Sequence, residues 1–209
     1  MKKKMKYLKN IIIKKNITTY LIIALIILGV TAGSIFFLVI NKTDKESAVK
    51  EIVNFQNMII NNKINYGQTL KNSIFTNFTY LFSIFILSLT IIGTPFIIFL
   101  LFFKGFIIGF SISAIIALYN YKGIIYSIIY LIPQELIKLF AIFIMGSYSL
   151  TLTIKLLKLI FSNKKNDFKL HLKRSSLIFI VSLFIITLAL LYETYLYPNI
   201  LKMLINFFI

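Results

Sequence analysis

The chain has 209 residues, 59% of them hydrophobic and only 14% charged, with a mean hydropathy of +0.90, a balance that excludes a soluble globular domain. Its net charge of +17 comes from 22 Lys and one Arg against six acidic residues, and these basic residues gather at the ends of apolar runs, which excludes a nucleic-acid-binding face. Cys is absent, and with it disulfides, thiolate metal sites, Cys nucleophiles and thiol lipidation.

Apolar runs of about 20 residues match ~30 Å of hydrocarbon. They predict an all-α, polytopic membrane helical bundle in a single integral membrane domain over residues 1–209: about five transmembrane helices, one half-helix and an outside amphipathic helix. The first span covers about 18–40, after seven Lys in the first fifteen residues. It is too long for the core of a cleavable signal peptide, and although Val30 and Ala32 resemble a cleavage pattern, it reads as a retained anchor. Residues 41–72 turn polar, with Ala48, Val49, Ile52, Val53, Phe55, Ile59, Ile60 and Ile64 mostly three or four apart, the spacing of an amphipathic helix outside the hydrocarbon. That helix either lies on the membrane surface or the bundle, or docks a partner through Ile52, Phe55 and Ile59.

Spans at about 74–93 and 96–118 follow, interrupted at Gly93-Thr94-Pro95 and at Phe103-Lys104-Gly105, and either interruption serves as the turn. In both cases Lys104 is expected to snorkel toward the cytoplasmic surface, because an unpaired lysine at mid-membrane costs about 3 kcal/mol on insertion scales. Gly105 and Gly109, four apart, form a packing seam for either an intramolecular helix or a second copy of the chain. After a turn at 119–123, the apolar run 124–161 is broken at Pro133-Gln134-Glu135. A half-helix at 124–132 followed by a span at 136–157 is the expected division. A basic segment at 162–174 precedes the last span, 175–196. Because the amino-terminal tail and 155–174 carry the densest lysines, the amino terminus is expected in the cytoplasm and the carboxyl terminus outside. With no Trp, tyrosines such as Tyr20, Tyr66, Tyr119 and Tyr195 are left to mark the interfaces.

Chemistry-bearing residues are few. His171 stands in the basic segment without a second metal-ligating side chain, so no metal, cofactor or catalytic residue is expected. Glu135 is a carboxylate deep in an apolar run, and Lys138 follows one helical turn later on the same face. Local pairing of the two, beside a kink at Pro133, is the structural reading. The functional one is a small-solute or ion transporter or channel using the broken helix around Pro133–Glu135.

The order of a basic tail and anchor, an amphipathic segment, Ile92-Gly93-Thr94-Pro95, Phe102-Phe103-Lys104-Gly105-Phe106-Ile107-Ile108-Gly109-Phe110 and Leu131-Ile132-Pro133-Gln134 resembles the stage II sporulation protein M family over essentially the whole chain. Relatives in the wider group often carry Pro-His-Gly, two residues, then Glu-Leu. Here Pro133 and Leu139 fit that pattern, whereas Gln134, Glu135 and Lys138 depart from it. The resemblance implies a non-enzymatic scaffold in the mother-cell membrane of a spore-forming bacterium, needed for engulfment of the forespore. It also implies partners, stage II sporulation proteins D and P, which degrade peptidoglycan at the sporulation septum.

Overall fold

The computed structural model describes the backbone of residues 2–61, 63–90, 92–160 and 168–208, and the side chains of 17–202 within those stretches except 130, 157–160 and 168–171. Among the described residues seven α-helices follow one another: α1 Lys2–Val39, α2 Lys42–Ile60, α3 Tyr66–Ser88, α4 Gly93–Tyr119, α5 Tyr121–Ile160, α6 Phe168–Leu191 and α7 Tyr197–Phe208, with a π turn at Tyr192–Leu196 joining the last two. Among the described residues four helices are long and apolar enough to cross a membrane: Ile17–Val39, Gly93–Tyr119, Leu131–Leu156 and Leu172–Lys202.

Local chemistry sets the boundaries. Lys45 Nζ donates to the Leu38 carbonyl at 2.8 Å and so covers the open end of α1. Asn65 Oδ1 accepts from Gln68 N at 3.1 Å, an N-cap that starts α3 well before the first apolar run. The amphipathic segment is therefore the shorter α2, and 66–72 belong to α3. Of the two candidate turns, the chain reverses just before Gly93. Pro95 is then the third residue of α4, where its missing N–H costs no helical bond, and Lys104 stands well inside the helix. Asn120, with φ 53°, reverses the chain between α4 and α5 in a conformation that Asn tolerates better than most residues.

The half-helix expected at 124–132 does not exist as a separate element, because α5 runs unbroken through Pro133 for 40 residues. A proline inside a membrane helix is tolerated where neighbouring helices surround it, and Leu131 and Ala141 are buried on either side of the predicted break. Forty residues span ~60 Å at 1.5 Å each, about twice the hydrocarbon thickness. The first turns of α5, residues 121–129, pack with α2 and α7: Tyr126, Ile59, Tyr197 and Leu201 share one core cluster.

Pairwise contacts fix the directions. Ile26 faces Gly105 and Val30 faces Gly109, so α1 and α4 run parallel. Tyr80 donates to the Leu100 carbonyl, and α3 runs opposite to α4. The Tyr66–Tyr195 stack and the Ser88–Ser175 contact at 3.3 Å set α3 antiparallel to α6. Two consecutive crossings would be antiparallel, so a parallel α1 and α4 require a return crossing between them, and α3 is that crossing. It is long enough at 23 residues, but Asn72, Ser73, Thr76, Asn77, Thr79 and Ser83 dilute its apolar character and keep it out of the four.

Candidate functional site

The polar centre of the molecule is built from α4, α5 and the π turn. Lys104 lies roughly 16 Å from one end of α4 and 22 Å from the other. It does not snorkel: Lys104 Nζ reaches Glu135 Oε2 at 2.9 Å. A carboxylate within contact distance stabilises the ammonium where it stands, whereas the nearer end of α4 is farther away than a lysine stem extends. Glu135 Oε1 also meets Lys138 Nζ at 3.0 Å, and Lys138 Nζ in turn lies 2.7 Å from Glu193 Oε2. The local pair read from sequence is thus the middle of a four-member chain of alternating charge, Lys104–Glu135–Lys138–Glu193, which sums to zero.

The π turn brings Glu193 into this chain. Tyr197 N–H bonds to the Tyr192 carbonyl, five residues back, and the extra residue rotates the following chain relative to α6. Thr194 and Tyr197 are buried on the same turn, and Gln134 Nε2 donates to Tyr197 Oη at 3.3 Å. Gln134 Oε1 and Thr194 Oγ1 are buried oxygens with no hydrogen-bond partner among the described residues.

Chemically, the cluster joins three helices without a spare charge. Next to it on α5 and α6 lies an apolar layer of Ala141, Ile142, Met145, Ile186 and Leu190, all at most 3% exposed. Beyond that layer come the buried Ser149 and Ser182. This layer interrupts the polar face that a transport path along α5 and α6 would need.

A second polar knot holds α2. Gln56 Nε2 donates to Tyr126 Oη at 2.9 Å and Tyr119 Oη donates to Gln56 Oε1 at 2.8 Å, while the two tyrosine rings stack with centroids 5.0 Å apart. Burial raises the Tyr126 phenol above its ordinary pKa, which keeps it a neutral hydroxyl that can both give and accept. Of the three residues expected to dock a partner, Ile59 is fully buried against Ile108, Ile115 and Leu201, and Ile52 packs on the same cluster. That expectation is corrected: the inward face of α2 is occupied by the chain's own core, and only Phe55 of the three is exposed.

The predicted packing residues divide among different sites. Gly105 and Gly109 meet α1 within this chain, where Gly29 and Gly33 answer them: a Cβ on any of the four would run into a backbone carbonyl of the facing helix. Ser34 Oγ adds a hydrogen bond to the Gly109 carbonyl at 3.2 Å. Gly93 is buried at the start of α4 against the Leu87 carbonyl. Pro133 sits in α5 beside the charge chain. The side chain of His171 lies outside the described residues.

Lys104 as a partner for Glu135, Glu193, Gln134, Tyr197, Gln56 and the Gly29–Gly33 half of the seam were missed from sequence. Only the glycine spacing at Gly29 and Gly33 carried a signal. A family model described as stage II sporulation protein M matches residues 12–198. No curated protein and no solved structure matches the chain.

Proposed function

The chain belongs to the stage II sporulation protein M family, and from that premise we propose that it is a non-enzymatic membrane scaffold for engulfment of the forespore. In this reading it recruits and holds the peptidoglycan-degrading stage II sporulation proteins D and P at the septum. It is a sporulation-related, multi-pass membrane protein; the scaffold role and its partners are the proposal. The carrying observation is the mounting of α2. One face is fastened to α4 and α5 by Gln56 and Ile59, while Phe55, Met58 and Ile60 stay exposed on the remainder. A rigidly held apolar edge on a polar helix loses little ordering entropy when a partner binds, and lipid headgroups are its rival occupant.

In this proposal this end of the bundle is outside the cell and the amino terminus cytoplasmic, on the support of the lysine distribution. In the Cys-free chain, single Cys residues at Asn57 and Asn199 should then react with a membrane-impermeant thiol reagent, and one at Thr90, in the turn at the opposite end, should not. Labelling confined to Thr90 reverses the orientation. The docking test replaces Phe55 and Met58 together with Ser, sparing the buried Gln56 and Ile59. Protein level and insertion should persist while co-purification of the two partners drops and engulfment stalls. Unchanged recovery of both partners removes α2 as the docking element.

A further inference from the structure

We infer that α3 carries a surface through which two copies of this chain associate inside the membrane. The surface is the outward stripe Gln68, Asn72, Thr76, Thr79 and Ser83, spaced four, four, three and four residues apart, which keeps it on one side of the helix for four turns. Gln68, Asn72, Thr76 and Thr79 are exposed and Ser83 is half-buried. The opposite side, with Leu81 and Ile84 fully buried, faces the bundle. This polarity is reversed from that of the other crossing helices. Outward positions on α1 are Ile23, Ile27 and Ile35, interrupted only by Thr31, which bonds its own Leu28 carbonyl, and those on α6 are the exposed Leu177, Ile180 and Phe184.

Hydrocarbon offers polar side chains nothing, so in membranes they gather where helices meet. The Thr76 and Ser83 hydroxyls spend their protons on the Asn72 and Thr79 carbonyls, at 3.0 and 2.8 Å. They remain acceptors, and their small size permits close approach of a second backbone. Phe75, 72% exposed, and Phe82 stand along one edge of the stripe as a wall for an incoming helix.

A second copy is the occupant that fits. Copies inserted by the same route share an orientation, so their two-fold axis lies along the membrane normal and α3 meets α3 in parallel, each residue near its own counterpart. Only side chains that are both donor and acceptor pair with themselves, which amides and hydroxyls do and charged groups do not. Gln68, Asn72 and Thr79 carry amides and a hydroxyl that can pair in this way, while Thr76 and Ser83, whose protons go to their own helix, contribute small size and acceptors for neighbouring donors. Lys71, the single charged residue of α3, lies off it, on the Phe75 and Phe78 side. This inference stands apart from the scaffold reading and uses no partner protein.

The native chain has no Cys, so the test is oxidative cross-linking in native membranes of full-length single-Cys variants. Thr76→Cys and Thr79→Cys should give a disulfide-linked product of twice the chain's mass, whereas Ile35→Cys and Phe184→Cys should not. In a Ser83→Cys background, Thr76→Leu with Thr79→Leu should lower the cross-linked fraction roughly tenfold, since each buried interhelical polar contact contributes about 0.6 kcal/mol and up to ~1.7. Equal cross-linking at Thr76 and Ile35, an adduct of any other mass, or an undiminished dimer in the Leu variant would each overturn the inference.

Discussion

The α1–α4 seam and the α5–π-turn interface hold neighbouring helices by opposite means. Along the seam, Gly29, Gly33, Gly105 and Gly109 let two backbones touch, with Phe36–Phe106 and Phe37–Phe110 rings 5.4 and 5.3 Å apart along its edge. Attraction there is mainly dispersion, with the Ser34 hydrogen bond to the Gly109 carbonyl beside it, and close approach depends on the absence of atoms. At the π turn the attraction is charge, and it depends on the presence of four specific side chains in succession. A seam of the first kind tolerates no added carbon but is indifferent to polarity. An interface of the second kind fails when one member is lost, yet can be rebuilt in another chemistry.

The largest expected effect breaks the charged side of that contrast. Glu135→Ala leaves Lys104 and Lys138 without their shared carboxylate and should cost about 3–5 kcal/mol, read as the unfolding equilibrium in mixed micelles. Replacing all four charges by Met together should recover most of that loss, because well-packed apolar groups often equal or exceed a buried ion network in stability. If the fourfold Met protein is as unstable as Glu135→Ala, the network holds more than the helices.

A smaller effect tests the seam. Gly105→Ala adds one methyl against the Ile26 carbonyl and should destabilise by about 1–3 kcal/mol. No polar or charged substitution elsewhere on the seam should compensate, because only removing volume relieves the contact. The smallest effect calibrates the other two. At Gly67 an added Cβ meets nothing nearer than Asn65 Oδ1 at 3.7 Å, so Gly67→Ala should stay within about 0.5 kcal/mol of the native protein. Helix propensity favours Ala over Gly at both positions, so a Gly67→Ala cost equal to that of Gly105→Ala would mean that interhelical distance does not set the glycine pattern.

Sequence reading recovered what is local or repetitive. Runs long enough to span, the amphipathic spacing of α2 and the proximity of Glu135 and Lys138 are all visible within a few residues of one another. Three things escaped it. Lys104 and Glu135 lie on different helices, and neither position names its partner. The π turn at Tyr192–Leu196 has no composition of its own, so Glu193 read as a charge near a helix end. The helix α3 was expected as a span from its apolar half, while its early start depends on one capping side chain, Asn65. The glycine seam was half-legible: Gly105 and Gly109 stood out, but Gly29 and Gly33 lay in a stretch whose small residues resembled a processing signal.

The parallel pairing of α1 with α4 has a consequence for synthesis. Gly29 is made about 76 residues before Gly105, which at 5–20 residues per second is a wait of roughly 4–15 s. Through that interval α1 has left the ribosome with its backbone-exposing groove unmatched, and α2 and α3 must be threaded past it before α4 arrives. A nascent chain halted in that window displays a bare glycine groove to the bilayer.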